Sequence, residues 1–167
     1  MIRSIADFEY QWSHEIEATQ KIFKHLTDKS MVHEFSPDVR TLGRLAWHIT
    51  TTIPEMMGKT GLKLTGPGVD DPIPSSAKSI FNAYNGVAIS LLDEMKAQWT
   101  DASLDIVDEM YGQRWKRGQT LTALINHQIH HRGGMVVLMR LAGLGVPGIY
   151  GPTRDEWSQW GMQPPKV

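Results

Sequence analysis

The sequence predicts an all-α protein: an up-and-down four-helix bundle, or a relative with one long crossover. Three observations carry that expectation. Four segments repeat apolar residues at steps of three and four, the period of a helix buried on one side. Gly, Pro and Ser gather between those segments more than inside them. The 167 residues are 41% hydrophobic and 21% charged, the length and balance of one ordinary globular domain spanning residues 1–167.

The first helix is predicted over residues 4–27, where Ile5, Phe8, Trp12, Ile16, Thr19, Phe23 and Leu26 keep helical spacing. The second covers residues 42–57. Thr41 is suited to its N-cap and Gly58 to its stop, and Leu42, Leu45, Ile49, Ile53 and Met56 form its stripe. Pro54 lacks a backbone donor and is expected to kink or loosen the last turns. Residues 58–74 hold Gly58, Gly61, Gly66, Pro67, Gly68, Pro72 and Pro74, so they read as a long loop between the second and third helices. Loops of that length often serve as lids. The third helix follows Ser75 or Ser76, with Ile80, Tyr84, Val87, Leu91 and Met95 on one face. Residues 102–119 fit either a short hairpin or an irregular crossover around Gly112. The fourth helix covers residues 120–142, with Gly143 as its C-terminal cap. A Gly- and Pro-rich C-terminal extension follows, with one short helix at residues 153–160.

Several function classes lose ground on composition. Lys and Arg total 17 against 18 Asp and Glu, a formal net charge of −1, so the basic excess of a nucleic-acid binder is missing. Arg114, Lys116 and Arg117 read as a solvated turn. There is no cysteine, which excludes a disulfide scaffold, a Cys-bound zinc and a Cys nucleophile. No apolar run reaches membrane-spanning length. The first eight residues carry early charge and no apolar core, so no signal peptide is expected, and the expected location is cytoplasmic.

The seven histidines direct attention to the fourth helix. With each residue turning about 100°, His127 and His131 fall near the Leu124 stripe, on neighbouring turns of the buried side. Their Cβ atoms are expected roughly 5–6 Å apart, and imidazoles so placed can converge on one ion through bonds of about 2.0–2.1 Å. The plainer alternative is a pair of polar core residues in a metal-free interaction bundle, which would need hydrogen-bond partners to offset burial. A zincin motif is excluded because Gln128, not Glu, follows His127. A di-iron site is excluded because no Glu-x-x-His pair occurs. His48, in the middle of the second helix beside its apolar stripe, is the candidate third ligand. Three histidines with open positions form the pattern of a catalytic zinc site.

The remaining polar residues read more modestly. His14, His25 and His33 read as solvated surface histidines. Glu15 and Glu55 read first as solvated carboxylates, and second as groups lining the pocket. His130 is the fourth helix's remaining base. Arg132 reads as a structural or interface cation. Gly133 and Gly134 suggest close approach of a helix or ligand, or else a local kink. Tyr150 and Arg154 are candidates for the site's edge or a dimer seam.

The runs His130-His131-Arg132-Gly133, Met139-Arg140-Leu141-Ala142-Gly143, Val146-Pro147 and Tyr150-Gly151-Pro152-Thr153 resemble the C-terminal part of the DinB/YfiT-like family. These are helical-bundle proteins, distinct from the DNA polymerase that shares the name. Thr41-Leu42-Gly43-Arg44-Leu45-Ala46-Trp47-His48-Ile49 resembles the same family. The resemblance implies a four-helix bundle with one divalent ion held by His48, His127 and His131. Zinc or nickel is expected first, then iron or manganese, since imidazole accepts several of these metals. It also implies a homodimer, a small-molecule substrate and a low-molecular-weight thiol cosubstrate. Some relatives are thiol-dependent S-transferases, and related bundles include a thiol-dependent isomerase. The expected activity is therefore thiol-dependent S-transfer to a small electrophile. Metal-dependent hydrolysis and a non-catalytic, metal-binding stress-response role are the alternatives. Many family sequences have Gln where this chain has Gly134.

Overall fold

Ser4 opens the first helix by accepting a hydrogen bond from the Asp7 backbone N–H, 3.0 Å away. This satisfies one of the donors that every helix start leaves free. The computed structural model describes residues 2–166. Helix α1 spans Ile5–Phe23, four residues short of its expected end. The early stop has a local cause. Thr27 and Ser30 form a reciprocal capping pair, at 3.1 and 2.9 Å, which starts a new one-turn helix α2, Asp28–Met31. Helix α3 spans Leu42–Gly58 with Thr41 as its N-cap, as the sequence indicates, and runs unbroken past Pro54. Helix α4 spans Ala77–Gln98. Its start is capped from outside: Asp28 of α2 accepts from the Ala77 N–H at 2.8 Å.

The hairpin alternative holds for the segment before the last helix. A 3₁₀ turn at Asp101–Asp105 leads into strands β1, Val107–Met110, and β2, Gln113–Lys116, paired antiparallel with Met110 opposite Gln113. Tyr111 and Gly112 make the connection at φ 53° and 76°. Two positive φ values suit a two-residue turn matched to strand twist. Gly accepts them freely, whereas Tyr does not. Helix α5 spans Arg117–Leu141, and Gly143 takes the left-handed conformation (φ 71°) just after it. The expected short helix of the extension is a 3₁₀ helix at Arg154–Trp160.

The four long helices form the bundle. Helix α1 packs on α4 and α5, and α3 packs on α4 and α5, so α1 and α3 take opposite corners, as do α4 and α5. Their stripes fill the space between with Phe8, Trp12, Phe23, Ile49, Ile53, Ile80, Tyr84 and Leu91, all fully buried or nearly so. Trp12 also donates its indole N–H to the Ala88 carbonyl of α4 at 3.0 Å, so the ring is both packed and satisfied. Truncating it to Ala would cost about 3–5 kcal/mol. The 59–76 segment does not stand away from the bundle. Leu62 and Thr60 are buried, and the Trp47 indole of α3 donates to the Asp71 carbonyl at 3.0 Å. No described helix is long and apolar enough to cross a membrane.

Candidate metal centre

Helix α5 is polar on two sides, and each side meets a different neighbour. Gln128 and Arg132 point between α1 and α4, whereas His127 and His131 point toward α3. His48 meets them from the middle of α3. The three rings lie edge to face, with centroids 4.4–4.8 Å apart. Each offers a nitrogen, and these nitrogens all fall within 4.8 Å of one another. The residues that helical spacing selected are thus brought together across a sequence gap of about eighty residues.

The chemistry of the donors fits a cation. Nε2 of His48 and Nε2 of His127 are 3.0 Å apart. Ligand nitrogens around a tetrahedral ion, at bonds of about 2.0–2.1 Å, sit about 3.3 Å apart. The Thr52 hydroxyl donates to the His48 carbonyl at 2.7 Å, so its oxygen is left to accept from His48 Nδ1 at 3.5 Å. With the proton on Nδ1, shared with that oxygen, the Nε2 lone pair would face the centre. A proton shared between His48 and His127 would answer two rings and leave out His131, which makes no hydrogen bond among the described residues. One cation answers all three. His127 Nδ1 is buried without a partner.

Protonation favours the same reading. Burial, then the neighbouring His131 and His48, push the His127 imidazole down to about 4. Burial, then His48, push His131 down to about 4 as well. His48 is lowered by burial and by the Arg40 guanidinium, against a smaller opposing pull from Glu55. All three rings are therefore neutral near pH 7, the form that binds a metal.

The centre opens outward. A cavity of about 550 Å³ is lined by Arg40, Arg44, Trp47, His48, Glu55 and Val69. A second, of about 340 Å³, lies between His48, His127, Glu55, Met56, Tyr111 and Trp115. Glu55 is thus a pocket residue, the second of the two readings its sequence position allowed. The Tyr111 hydroxyl donates to Glu55 Oε1 at 2.9 Å, and burial together with this bond raises the Tyr111 pKa, so the phenol stays a donor. Val69 brings the 59–76 segment to the cavity wall.

A profile of the DinB family matches residues 1–162. The chain belongs to the DinB family. A Bacillus subtilis (strain 168) relative, called uncharacterized protein YrdA, is 41% identical over 167 residues, all of both chains. The crystal structure of a DinB-like protein from Bacillus cereus ATCC 10987 superposes with a TM-score of 0.86. It is 45% identical and covers 90% of this chain and 100% of that one. A second DinB-like protein, YjoA of Bacillus subtilis, gives a TM-score of 0.68 at 13% identity over 87% of this chain and 99% of that one, a likeness of fold alone.

Other expectations for this DinB chain need sorting. His14, His25 and His33 are exposed, as expected. Glu15 is not solvated: it is 5% exposed and forms a buried ion pair with Arg132, itself 2% exposed. The reason is a partner 117 residues away, invisible to local spacing. Arg132 is accordingly a structural cation. Tyr150 covers that pair, donating to Glu15 at 2.6 Å and accepting from Arg132 at 2.7 Å, and so stands away from the histidines. Gly133 and Gly134 are exposed, with nothing within 4 Å of an added Cβ, so no helix of this chain approaches them. His130 lies on the outside, its ring 4.9 Å from that of His131. Sequence reasoning missed Arg40, Thr52 and Tyr111. The signal for Thr52 was its position four residues after His48, one turn along the same face. Arg40 and Tyr111 come from outside the helices and had no periodic signal.

Proposed function

We propose that this DinB protein is a divalent-metal-dependent enzyme whose ion is held by His48, His127 and His131, and that it transfers a thiol to a small electrophile. The observation that supports this most is the convergence of three neutral imidazoles on one point beside two open cavities. An ion there would supply a Lewis acid that favours the thiolate form of a bound thiol. The chain has no cysteine, so the nucleophile must arrive as a cosubstrate. The protein's own groups do the rest. His48 is oriented by Thr52. Glu55, held by Tyr111, is the carboxylate best placed to take the thiol proton. Met56, Trp115 and Ala123 offer an apolar wall to the electrophile's carbon skeleton.

A second reading, metal-dependent hydrolysis, draws on the same Glu55, which would then take a proton from water. The two readings separate in one assay. The metal-loaded protein is incubated with monochlorobimane, with and without a low-molecular-weight thiol, and in parallel with an activated ester and no thiol. Thiol-dependent bimane adduct above the uncatalysed rate, abolished by chelation and in His131→Ala, supports transfer. Ester turnover without thiol supports hydrolysis. Neither reaction, over a broad set of electrophiles, would contradict the enzymatic reading and leave the stress-protein alternative.

A further inference from the structure

The chain carries nearly balanced charge overall, yet the mouth of the histidine cluster does not. Arg40 and Arg44 both line the larger cavity beside His48, one just before α3 and the other in its first turn. Arg40 also lines a third cavity, of about 780 Å³, that runs past His130 and His131. Most Arg side chains beside a carboxylate pair with it. These two make no side-chain hydrogen bond and no ion pair among the described residues. The nearby carboxylates leave them free: Glu55 accepts from Tyr111, and Asp38, in the third cavity, forms no ion pair.

Helix α3 arranges these groups in order. Arg44, His48, Thr51 and Glu55 follow at steps of four, three and four, so they line one side of the helix and one wall of one cavity. Two guanidinium groups stand at one end, the ligand imidazole in the middle and the carboxylate at the other end. With a divalent ion on three neutral rings, this wall would carry two guanidinium charges and the ion against one carboxylate. A low-dielectric recess of one sign concentrates ligands of the opposite sign. Guanidinium groups bind carboxylate or phosphate oxygens through paired N–H donors.

Building on the metal-centre reading, we infer that the cavity bounded by Arg40, Arg44, Trp47 and His48 is a subsite for a small ligand bearing an anionic group. The anion sits on the two arginines, and the ligand's donor atom reaches the histidine centre. The neighbouring cavity, walled by Met56, Tyr111 and Trp115 and sharing His48 and Glu55 with the first, is left for the second reactant. The anionic reactant is thus assigned to the Arg side, and an uncharged electrophile to the aromatic side.

The test uses three thiols of matched size and different charge: 3-mercaptopropionate, 2-mercaptoethanol and cysteamine. Binding to zinc-loaded full-length protein is measured by calorimetry and by Trp fluorescence, since Trp47 lines the cavity. The wild type is expected to bind 3-mercaptopropionate at least about tenfold more tightly than 2-mercaptoethanol, with cysteamine weakest. In Arg40→Gln/Arg44→Gln the preference is expected to vanish while 2-mercaptoethanol binding stays, and Arg40→Lys/Arg44→Lys should restore part of it. Both side chains are exposed, so the variants are expected to keep the wild-type melting temperature. Equal affinity for the three thiols, or a preference that survives in the Gln variant, would overturn the inference. Zinc content, read on the same samples, reports separately on the metal centre. If zinc does not bind, succinate replaces the thiols: arginine-dependent succinate binding keeps the subsite, and its absence removes it.

Discussion

On the side of α5 that faces α1 and α4, strong polar groups are answered from within the chain. Arg132 meets Glu15, the Thr19 hydroxyl and the Tyr150 hydroxyl, and the Gln128 carbonyl oxygen accepts from Thr19 and Tyr84. Among the described residues there, Gln128 Nε2 lacks a partner. On the side that faces α3, less than a helical turn away, three imidazoles face one another, and among the described residues no carboxylate joins the group and His131 makes no hydrogen bond. Both clusters use polar residues in a bundle interior, where an unanswered group is expensive. The first pairs its charged groups within the chain and so reads as structure. The second is left open beside cavities, and an open donor set is what an exchangeable ligand requires. The difference teaches that polarity inside a bundle does not signal function by itself; a converging set of unpaired donors beside a cavity does.

The comparison can be broken by mutating one cluster and reading both. The largest effect is expected in the closed network. Arg132→Met leaves Glu15 buried without its cation and should destabilise the protein by about 3–5 kcal/mol in urea unfolding. The double variant Glu15→Gln/Arg132→Met removes both charges and should recover part of that loss. If the single variant unfolds at the wild-type urea concentration, the network is not the structural element described above.

The open cluster should behave in the opposite sense. His127→Ala should barely change the stability of metal-free protein, because the ring it removes had an unsatisfied nitrogen. What it should remove is stabilisation by added metal. At free zinc about a thousandfold above the dissociation constant, the wild type should gain about 4 kcal/mol, and the variant none. Thr52→Val is the finer probe. It keeps the shape but takes away the acceptor for His48 Nδ1, and metal affinity should fall about 10- to 100-fold with the fold intact. An unchanged affinity would mean that Thr52 does not orient the ring.

Acid titration sharpens the contrast further. His127 and His131 have folded pKa values near 4 against 6.5 in the unfolded chain. Between these values the unfolded chain binds more protons, so stability of the metal-free protein is lost as pH falls from 6.5 through about 4. Thermal melts of the wild type and of His127→Ala/His131→Ala should therefore run together near neutral pH and diverge in acid, where only the wild type loses stability to these rings. Parallel curves across that window would show that the rings are not held neutral. The smallest effect belongs to Tyr111. Its positive φ should make Tyr111→Asn stabilising by up to about 1 kcal/mol, even as the bond to Glu55 is lost. A loss of stability instead would mean that the turn carries little strain.

The same contrast explains how much the sequence revealed. The histidine cluster was legible because two of its members lie on one helix at a spacing of four, and the third lies mid-helix beside another apolar stripe. The four long helices were legible from period alone. Glu15 and Arg132 were not, because a buried ion pair is a fact about two distant positions, and each alone looks like a solvated charge. The end of α1 was missed for a related reason. Thr27 continues a helical pattern but also starts a capping pair with Ser30, and the local hydrogen bonds decide between the two. Arg40 was out of reach because it lies outside any helix and is defined only by the cavity it borders.

The central claim is that the open cluster holds one ion and the closed one holds none. Elemental analysis of untagged wild type, His48→Ala and His131→Ala, each incubated with zinc or nickel, desalted and checked for helical content, tests it directly. The account predicts about one equivalent of metal in the wild type and none in either variant, with all three folded. No metal in the folded wild type, or a full equivalent retained in both variants, would contradict it.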